Sequence, residues 1–411
     1  MENFEKKLEE YASLLVNVGL AVQKGQRFVI HAPVDSAAFA RMCAKAGYAA
    51  GAKEVIVSYS DEELTRMRFL EAESSVFDSV AEWVKHMYND YAEEGAAMLF
   101  IAASDPENLK GVDPDRIQRS SRAAGEALEV FRRLEMSNGF PWCVASIPIP
   151  SWAAKVFPED GEEEAMAKLW DAIFSAVRVS GEGDAVARWR DHLAHLKART
   201  DKLNALRFAK LHYTNSLGTD LWVELPPDHI WMSGEDTTPT GQKFVANMPT
   251  EEIFTAPLKT GINGKIVAAL PLSLDGCLIT DFSMEVEKGK IVSVCAKEGE
   301  EQLKNAITVD EGASYFGEVA LIPYDSPIRN QGILYYETLF DENASCHFAF
   351  GEAYPCIEGG MEMSPEELTA HGLNQSITHV DFMVGTRDLS IVGYRANGEE
   401  IVVFENGNFT F

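Results

Sequence analysis

Residues 27–58 read RFVIHAPVDSAAFARMCAKAGYAAGAKEVIVS, and this stretch decides the fold of the first half of the chain. Each end of it is an apolar run of the length of one buried strand, and residues 36–50 between them carry small and apolar side chains at helical spacing. Two strands joined by a helix lie parallel in one sheet. Further apolar runs at 97–102 and 142–147 extend the prediction to a mostly parallel sheet covered by helices on both faces.

The pattern changes near residue 208, after a long region with helical spacing. Residues 210–214 and 221–225 flank a turn-forming segment and predict a β-hairpin. We therefore predict two domains, an α/β N-terminal domain with a mostly parallel sheet over 1–207 and a β-rich α+β catalytic domain over 208–411. Within the second domain we expect a helix at 298–307 and paired strands at 278–286 and 290–295.

The composition bounds the class of protein. With 36 Lys+Arg against 64 Asp+Glu, the formal net charge is -28, and such a surface repels phosphate backbones and anionic lipid. We therefore expect neither nucleic acid nor a membrane as a partner. No apolar stretch reaches the roughly 18 residues of a membrane span, and the chain does not open like a signal peptide. The 6 cysteines are scattered without zinc-ribbon spacing, which favours reduced thiols and a cytoplasmic location.

The first sheet carries no sign of a nucleotide site. A dinucleotide-binding fold needs GxGxxG directly after its first strand, whereas residues 31–36 read HAPVDS. A GxxxxGK[ST] phosphate loop is absent as well. The function has to be sought in the second half of the chain.

A histidine and an aspartate share one face of a predicted strand at 378–384. Side chains two residues apart on a strand point the same way, so His379 and Asp381 project together while Val380 and Phe382 face the core. The pair is suited to chelate a metal ion. An exposed His–Asp pair on an edge strand is the alternative.

Other polar residues of this half have an ordinary interpretation when each is taken alone. Glu318 could face solvent from a half-exposed strand, His347 could be a core histidine, and Glu251 with Glu252 could be a solvated pair at a turn. Together, two histidines and several carboxylates lie near apolar strands without a balancing group of Lys or Arg, and a divalent cation is their natural counter-charge. More than four candidate ligands indicate a two-metal site, with Zn, Mn or Co suiting the mixed ligands better than Ca.

Four segments occur in order along the second half. They read NMPTEEIFT at 247–255, YFGEVA at 315–320, DENASCHFAFG at 341–351 and NQSITHVDFM at 374–383. In these segments the sequence resembles the M29 family of metallo-aminopeptidases, the aminopeptidase T and S type. The resemblance extends over the whole chain and includes IHAPVDSAAFAR and WCVASIPIPSWAAKVFP in the first half.

The resemblance implies a ligand set and an activity. The activity is removal of N-terminal residues from peptide substrates with broad preference, by a homodimer with an enclosed inner cavity. Glu318 would bridge the two ions, and Tyr354 would reach into the same site. The implied ligands of the two divalent ions (Zn, Co or Mn) are Glu252, Glu318, His347, His379 and Asp381.

The expected mechanism is that of two-metal hydrolysis. A water shared by the ions loses a proton near neutral pH and attacks the scissile carbonyl, which one ion polarises. Glu251 is the candidate that carries the proton to the leaving amine, and Tyr354 could donate to the oxyanion. Alternatives for these two are a hydrogen-bonding or solvent-facing carboxylate and a packed aromatic residue.

Two other functions are compatible with the same residues. One is a two-metal hydrolase that acts on another amide or on an ester. The other is a binding protein that keeps a closed metal site for structure, since a catalytic site differs from it by an open water position. An acidic scaffold with no metal would need all four segments to occur by coincidence.

Overall fold

The computed structural model describes residues 3–105, 107–274 and 277–411. By backbone contacts the chain divides into two units, the first formed by Met1–His192 with Glu235–Pro249 and the second by Leu193–Gly234 with Thr250–Phe411. The predicted fold class is confirmed, because a parallel sheet with helices is followed by a strand-rich region. The division at residues 207 and 208 stays a prediction about independent domains.

Helices occupy most of the first unit and little of the second. Helix α5 begins at Pro114, directly after Asp113, whose side chain caps the first turn. Helix α2 is followed by Gly51, which adopts a left-handed conformation. No helix in the described ranges is long and apolar enough to span a membrane. The helices are α1 Phe4–Leu14, α2 Ala37–Ala50, α3 Glu62–Glu71, α4 Glu82–Glu94, α5 Pro114–Ala127, α6 Glu129–Met136, α7 Pro150–Val156, α8 Glu162–Ala176, α9 Ala185–Leu206, α10 Glu300–Ala306, α11 Thr338–Glu342 and α12 Pro365–Ala370.

Most of the strands belong to the second unit. They are β1 Arg27–Pro33, β2 Glu54–Ser60, β3 Ala97–Ala102, β4 Trp142–Ser146, β5 Phe208–Thr214, β6 Asp220–Glu224, β7 Met232–Ser233, β8 Asp236–Thr237, β9 Lys243–Phe244, β10 Asn247–Met248, β11 Ile253–Thr255, β12 Ile262–Val267, β13 Leu272–Leu274, β14 Cys277–Ile279, β15 Ser283–Glu287, β16 Lys290–Cys295, β17 Phe316–Leu321, β18 His347–Gly351, β19 His379–Met383, β20 Ser390–Arg395, β21 Glu400–Glu405 and β22 Asn408–Phe409. Single turns of π-helix at Leu15–Gly19 and of 3-10 helix at Val34–Ser36, Ser74–Phe77, Gly312–Ser314, Arg329–Gln331 and Gly360–Glu362 complete the regular structure.

The sheet of the first unit is parallel and covered on both faces. Its strand order is β10-β4-β3-β1-β2, and each neighbouring pair is parallel. On one face Gly47 of α2 lies so close to Phe28 that an added Cβ would be 2.5 Å from the ring. On the other face Val29 and Met98 pack with Phe131 of α6. The predicted strand–helix–strand unit and the doubly covered sheet are confirmed.

The second unit is built from two antiparallel sheets with an apolar core. An eight-stranded sheet has the order β16-β15-β12-β6-β5-β20-β21-β22, and a five-stranded sheet has the order β19-β18-β17-β11-β7. One core cluster draws on both sheets, and the rings of Tyr213 and Phe348 meet across it at 5.2 Å. The hairpin predicted at 210–214 and 221–225 is confirmed as β5 and β6, and the helix predicted at 298–307 is α10.

The strand predicted at 278–286 is wrong. The chain forms two strands there: β14 pairs with β13, and β15 pairs with β12 and with β16. Asp281 lies between them with a φ of 46°, a left-handed conformation that no strand continues. The predicted pairing of the strands around Glu287–Gly289 is confirmed, as β15 pairs with β16 there.

Candidate metal centre

The candidate ligands come from one face of the five-stranded sheet. Glu318 on β17 pairs with Ala349 on β18, and Ala349 pairs in turn with Asp381 on β19, so the three lie in one row across the sheet. Partners across neighbouring strands share a face. The methyl group of Ala349 is the only side chain between the two carboxylates in this row, which leaves space above it.

The two histidines and Glu252 belong to the same face by the two-residue repeat of a strand. His347 is two residues from Ala349, and His379 is two residues from Asp381. Glu252 directly precedes β11, two residues before Phe254, which pairs with Ala320 on β17. The opposite face belongs to the core, where Phe382 is buried and Val380 packs beside it. The alternation predicted for 378–384 is confirmed.

The five side chains converge. The Nε2 atom of His347 lies 3.3 Å from Glu318 Oε1 and 3.4 Å from Glu252 Oε2. The Nε2 atom of His379 lies 3.3 Å from Glu318 Oε2 and 3.3 Å from Asp381 Oδ1. The polar atoms form two triplets, one of Glu252, Glu318 and His347 and the other of Glu318, His379 and Asp381, each with its ligand atoms within 4.8 Å of one another. Glu318 is common to both.

Both histidines present the same nitrogen to the carboxylates. The Nδ1 atom of His347 lies 3.0 Å from the carbonyl oxygen of Glu342, and the Nδ1 atom of His379 lies 2.8 Å from that of Glu352. A carbonyl oxygen only accepts, so Nδ1 carries the proton in each ring. A neutral imidazole held this way turns the lone pair of Nε2 toward the carboxylates, which is the tautomer that binds a metal ion.

The site is buried, which rules out the ordinary interpretations of Glu318 and Glu252. The side chain of Glu318 is 6% exposed and that of Glu252 is 12% exposed, so neither faces solvent from a half-exposed strand or a turn. Burial raises the pKa of Glu252 to about 8, with a further contribution from the charge of Glu318. Burial would also raise the pKa of Glu318, but the two facing imidazoles outweigh it and lower that pKa to about 2.

The cluster lacks enough positive charge of its own. Burial opposes protonation of His347, yet the surrounding carboxylates, Glu318 first, raise its pKa to about 10. Within the described part of the chain these carboxylates form ion pairs with the two histidines and with no Lys or Arg. Uncompensated buried carboxylates are costly, and a divalent cation supplies the missing charge.

Glu342 also belongs to this group of carboxylates, and the sequence analysis did not single it out. Its side chain is buried, and burial together with the charges of Asp381 and Glu252 raises its pKa well above the usual range. It precedes Asn343 in the DENA segment, at the end of α11. Helix α11 reads TLFDE, with two adjacent acids after Leu339 and Phe340, and only the fold shows which of them faces the cluster.

Tyr354 lies beside the cluster. Its ring packs at 5.3 Å from that of His379 and at 5.6 Å from that of Phe254. Burial raises the pKa of the phenol well above its ordinary value, and the charges of Glu318 and Asp381 raise it further. The hydroxyl therefore keeps its proton at neutral pH and can donate a hydrogen bond.

Glu251 is buried rather than solvent-facing. Its backbone N–H donates to Asn343 Oδ1 at 2.8 Å, which ties the PTEE segment to the DENA segment. The solvated pair considered for Glu251 and Glu252 is therefore wrong for both residues.

A second set of hydrogen bonds fixes the segment that leads into β19. Asp310 accepts from the N–H groups of Ala313 and Ile377, each at 2.7 Å, and from the Ser376 hydroxyl at 2.9 Å. Burial would raise the pKa of Asp310, but these donors outweigh it and lower that pKa. The segment before His379 is thus held by a charged acceptor.

Asn374 and Glu352 connect this segment to β18. The side-chain amide of Asn374 donates to the carbonyl oxygens of Gly312 and Gly351, at 2.8 and 2.6 Å. The Glu352 carboxylate accepts from the Ser376 N–H, and the Glu352 carbonyl is the acceptor that orients His379. The NQS part of the fourth segment therefore positions a ligand without being one.

The chemistry of the donors matches a divalent ion. Two ligand atoms about 2.0–2.2 Å from one tetrahedral ion lie roughly 3.3–3.6 Å apart. The nitrogen–oxygen separations agree with that spacing, at 3.4 and 3.3 Å in the first triplet and 3.3 Å twice in the second. These separations exceed the roughly 2.7–2.9 Å that is typical of a charge-assisted hydrogen bond. Carboxylate and imidazole ligands suit Zn, Mn or Co.

Comparisons with known proteins agree over the full length. A family described as "Thermophilic metalloprotease (M29)" matches residues 4–409. The chain is similar to Aminopeptidase AmpS of Bacillus subtilis (strain 168), with 44% identity covering 100% of both chains, and to Aminopeptidase T of Thermus thermophilus, with 38% identity covering 100% of both. It is also similar to the solved structure of wild-type AmpT from Thermus thermophilus, with a TM-score of 0.93 and 36% identity over 99% of this chain and 100% of that one.

Proposed function

The chain belongs to the M29 family of thermophilic metalloproteases, and from this premise we propose that it hydrolyses the N-terminal peptide bond of peptides with the help of two divalent ions. Its family and the names of its relatives show that it is a metallo-aminopeptidase. The presence of two ions is the part that we propose. The observation that carries this part is the carboxylate of Glu318, whose two oxygens each lie 3.3 Å from the Nε2 atom of a different histidine.

The proposed ligands divide into two sets around Glu318. Glu252 and His347 would hold one ion, His379 and Asp381 the other, and Glu318 would serve both. When bound, such ions polarise a carbonyl group and make a shared, bridging water acidic enough to act as a nucleophile near neutral pH. Zn, Co and Mn all accept these ligands, so the donors leave the identity of the metal open among the three.

The protein's own residues would orient and protonate the reacting groups. The carbonyl groups of Glu342 and Glu352 hold the two imidazoles by their Nδ1–H groups, so that Nε2 faces the site. The Tyr354 hydroxyl, kept protonated beside the carboxylates, would donate to the oxygen that gains charge during attack on the peptide carbonyl. Glu251 is proposed to take the proton of the water and to pass it to the leaving amine.

The central test combines metal analysis with assays on several substrates. The purified protein is stripped with a chelator, and activity on aminoacyl-anilides is compared with activity on acyl esters before and after Zn, Co or Mn is restored. We expect anilide hydrolysis that disappears with the metal and returns with it, at close to two ions per chain. Hydrolysis of esters alone would indicate the other hydrolase class.

Glu318→Gln separates catalysis from a structural role. We expect at least a thousandfold lower kcat/KM with the fold retained, because the variant keeps the shape of the side chain but loses the shared charge. Glu287→Gln, in the exposed hairpin of β15 and β16, is the matched control and should behave as wild type. Activity in protein that is free of divalent ions would contradict the catalytic proposal. So would unfolding as the only effect of removing the metal.

The roles of Tyr354 and Glu251 can be tested without disturbing the ligands. Tyr354→Phe should lower kcat by roughly a hundredfold or more with an unchanged ion content, since one donor to the oxyanion is lost. Glu251→Gln should lower kcat by a comparable factor and remove the acidic limb of the pH–rate profile. An unchanged kcat in either variant would leave that residue with a packing role.

We also propose a homodimer and a cytoplasmic location. Among cysteines with described side chains, Cys43, Cys143, Cys295, Cys346 and Cys356 are free thiols, which suits a reducing compartment. Sedimentation at micromolar concentration should give twice the chain mass, and fractionation should place the protein with cytoplasmic markers. A monomer, or a fraction outside the cytoplasm, would contradict the respective proposal.

A further inference from the structure

Glu342 is a buried acid beside the metal centre, and it belongs to neither set of candidate ligands. It is the last residue of α11 and is 9% exposed. The charges of Asp381 and Glu252 act on it, so its carboxylate lies close to proposed ligands of both ions. It is nevertheless not a member of either triplet whose ligand atoms lie within 4.8 Å of one another. The carboxylate therefore adjoins the ligands without joining them.

One oxygen of this carboxylate is unused. The side-chain amide of Asn343 donates to Glu342 Oε1 at 3.3 Å, and Oε2 receives no hydrogen bond from the described residues. The neighbouring Asp341 differs, because the N–H groups of Tyr335 and Glu337 donate to its two oxygens, at 2.8 and 3.2 Å. Asp341 therefore has a structural explanation, whereas an unpaired oxygen on a nine-tenths buried acid calls for a partner from outside the chain.

The position of Glu342 is fixed by its neighbours. Asn343 is fully buried; its Nδ2 also donates to the carbonyl oxygen of Leu339 at 2.9 Å, and its Oδ1 accepts from the N–H of Glu251 at 2.8 Å. The carbonyl oxygen of Glu342 itself accepts from Nδ1 of His347 at 3.0 Å. The residue with the unused oxygen is thus held directly against a candidate ligand.

The charges that act on Glu342 are mostly negative. Three of the four strongest come from carboxylates and one from an imidazole; the four residues are Asp381, Glu252, His347 and Glu318. A buried anion among other anions is costly unless a cation compensates it. The phenol of Tyr354, the proposed donor to the oxyanion, also experiences the charge of Glu342. The unused oxygen therefore lies where a cationic group of the substrate would be stabilised.

The α-ammonium group of a peptide is the cation that fits this position. The α-nitrogen and the carbonyl carbon of one residue are both bonded to Cα and lie about 2.5 Å apart. A peptide whose first carbonyl group lies at the candidate ions therefore brings its α-ammonium group next to the ligands, where a carboxylate adjoins them. A cation at the end of a side chain would lie several bonds farther away.

We propose that Glu342 binds the α-ammonium group of the peptide's first residue and thereby restricts the enzyme to free N-termini. This inference rests on the proposed function and names the group by which that site recognises its substrate. An acylated or internal residue presents a neutral amide at the same place and leaves the Glu342 carboxylate buried and uncompensated, which disfavours its binding. Glu342 acts here in recognition and not in the chemical step.

The binding of two hydroxamates tests this role without turnover. The metal-loaded protein is titrated calorimetrically with L-leucine hydroxamate and with its desamino analogue, which lacks only the α-ammonium group. Wild type should bind the amino compound at least tenfold more tightly, because hydrogen bonds between charged groups are the strong ones. Glu342→Gln should abolish this difference without changing the affinity for the desamino compound. Glu342→Asp should retain part of the difference, and the control Glu287→Gln should retain all of it.

Three results would overturn the proposal. They are equal affinities of wild type for the two compounds, a difference that persists in Glu342→Gln, and equal weakening of both compounds together with loss of bound metal. The last result would make Glu342 a support for the ions. Glu342→Gln should keep its circular dichroism and Tm, because it removes an uncompensated buried carboxylate and preserves the shape. If it does not fold, the wild-type ratio and its decrease in Glu342→Asp decide instead.

Turnover then distinguishes this inference from the proposed function. In Glu342→Gln the kcat/KM for Leu-anilide should fall at least tenfold with an unchanged ion content. A protein that hydrolyses no anilide yet distinguishes the two hydroxamates through Glu342 would refute the peptidase and keep the ammonium site. A protein that hydrolyses Leu-anilide but binds the two hydroxamates equally would do the reverse.

Discussion

The two units each bury a histidine beside a sheet, and the two side chains have opposite environments. His31 on β1 is stacked between the rings of Tyr88 and Phe100, at 4.6 and 4.9 Å, and burial lowers its pKa to about 4. His347 on β18 is still less exposed to solvent, but the carboxylates around it overcome the effect of burial and raise its pKa to about 10. Burial therefore does not distinguish a core histidine from a candidate ligand; the groups facing the ring do.

The same contrast holds for the sheets. The parallel sheet of the first unit is covered by helices on both faces, so its strands are mostly apolar, and the charged residues Arg27 and Glu54 pair with each other at the strand ends. The five-stranded sheet of the second unit packs one face against the core and presents the other to the carboxylate and histidine cluster. A sheet with one face free of the core can display chemistry, whereas a doubly covered sheet serves as a scaffold.

The largest effect is expected from exchanging each histidine. His347→Gln should lower kcat/KM at least a thousandfold and reduce the bound metal, because the ring is proposed as a ligand of one ion. His31→Phe should keep activity and metal content within twofold, since a phenyl ring preserves the stack and removes a buried nitrogen without a partner. Metal analysis and anilide kinetics on both variants provide the measurement. Equal losses of activity and of bound metal in the two variants would contradict the proposed difference between the two histidines.

A smaller effect is expected from the residue that fixes the segment before β19. Asp310→Asn removes the charge that holds the N–H groups of Ala313 and Ile377, so His379 should be less well oriented. We expect metal affinity to fall about ten- to a hundredfold, as for other residues that support a ligand. Competition with a chromogenic chelator measures this directly. An unchanged affinity would show that the segment is held without Asp310.

The smallest effect concerns a buried acid of the first unit that has no proposed cation. Burial raises the pKa of Glu135 to about 7, against the opposing charge of Arg132. The folded state then keeps a proton that the unfolded state loses between pH about 4.5 and 7, so the free energy of unfolding falls as pH rises through that window.

Replacing this acid isolates the effect of burial on a carboxylate. Glu135→Gln should remove a pH-dependent loss of about 1–3 kcal/mol between pH 5 and pH 8. Urea denaturation of the variant and of wild type at the two pH values measures it. The same loss in both proteins would mean that Glu135 is not the group that titrates.

The candidate site was predicted in large part from short segments. The alternation of His379 and Asp381 with Val380 and Phe382 follows from the two-residue repeat of a strand, which any strand obeys. The resemblance to the M29 family supplied the remaining candidates. Glu342 was missed because its direction depends on how α11 lies against β19, and no local repeat encodes that.

The sequence alone determined the elements and the class of chemistry. Apolar runs and helical spacing specify the strand–helix–strand unit of the first half, because local geometry repeats every two or 3.6 residues, approximately. Only the tertiary structure decided which charges meet. It brings Glu252, Glu318 and Asp381, which are more than a hundred residues apart at the extremes, to one face of the same sheet, because pairing across a sheet joins residues that are distant in the chain.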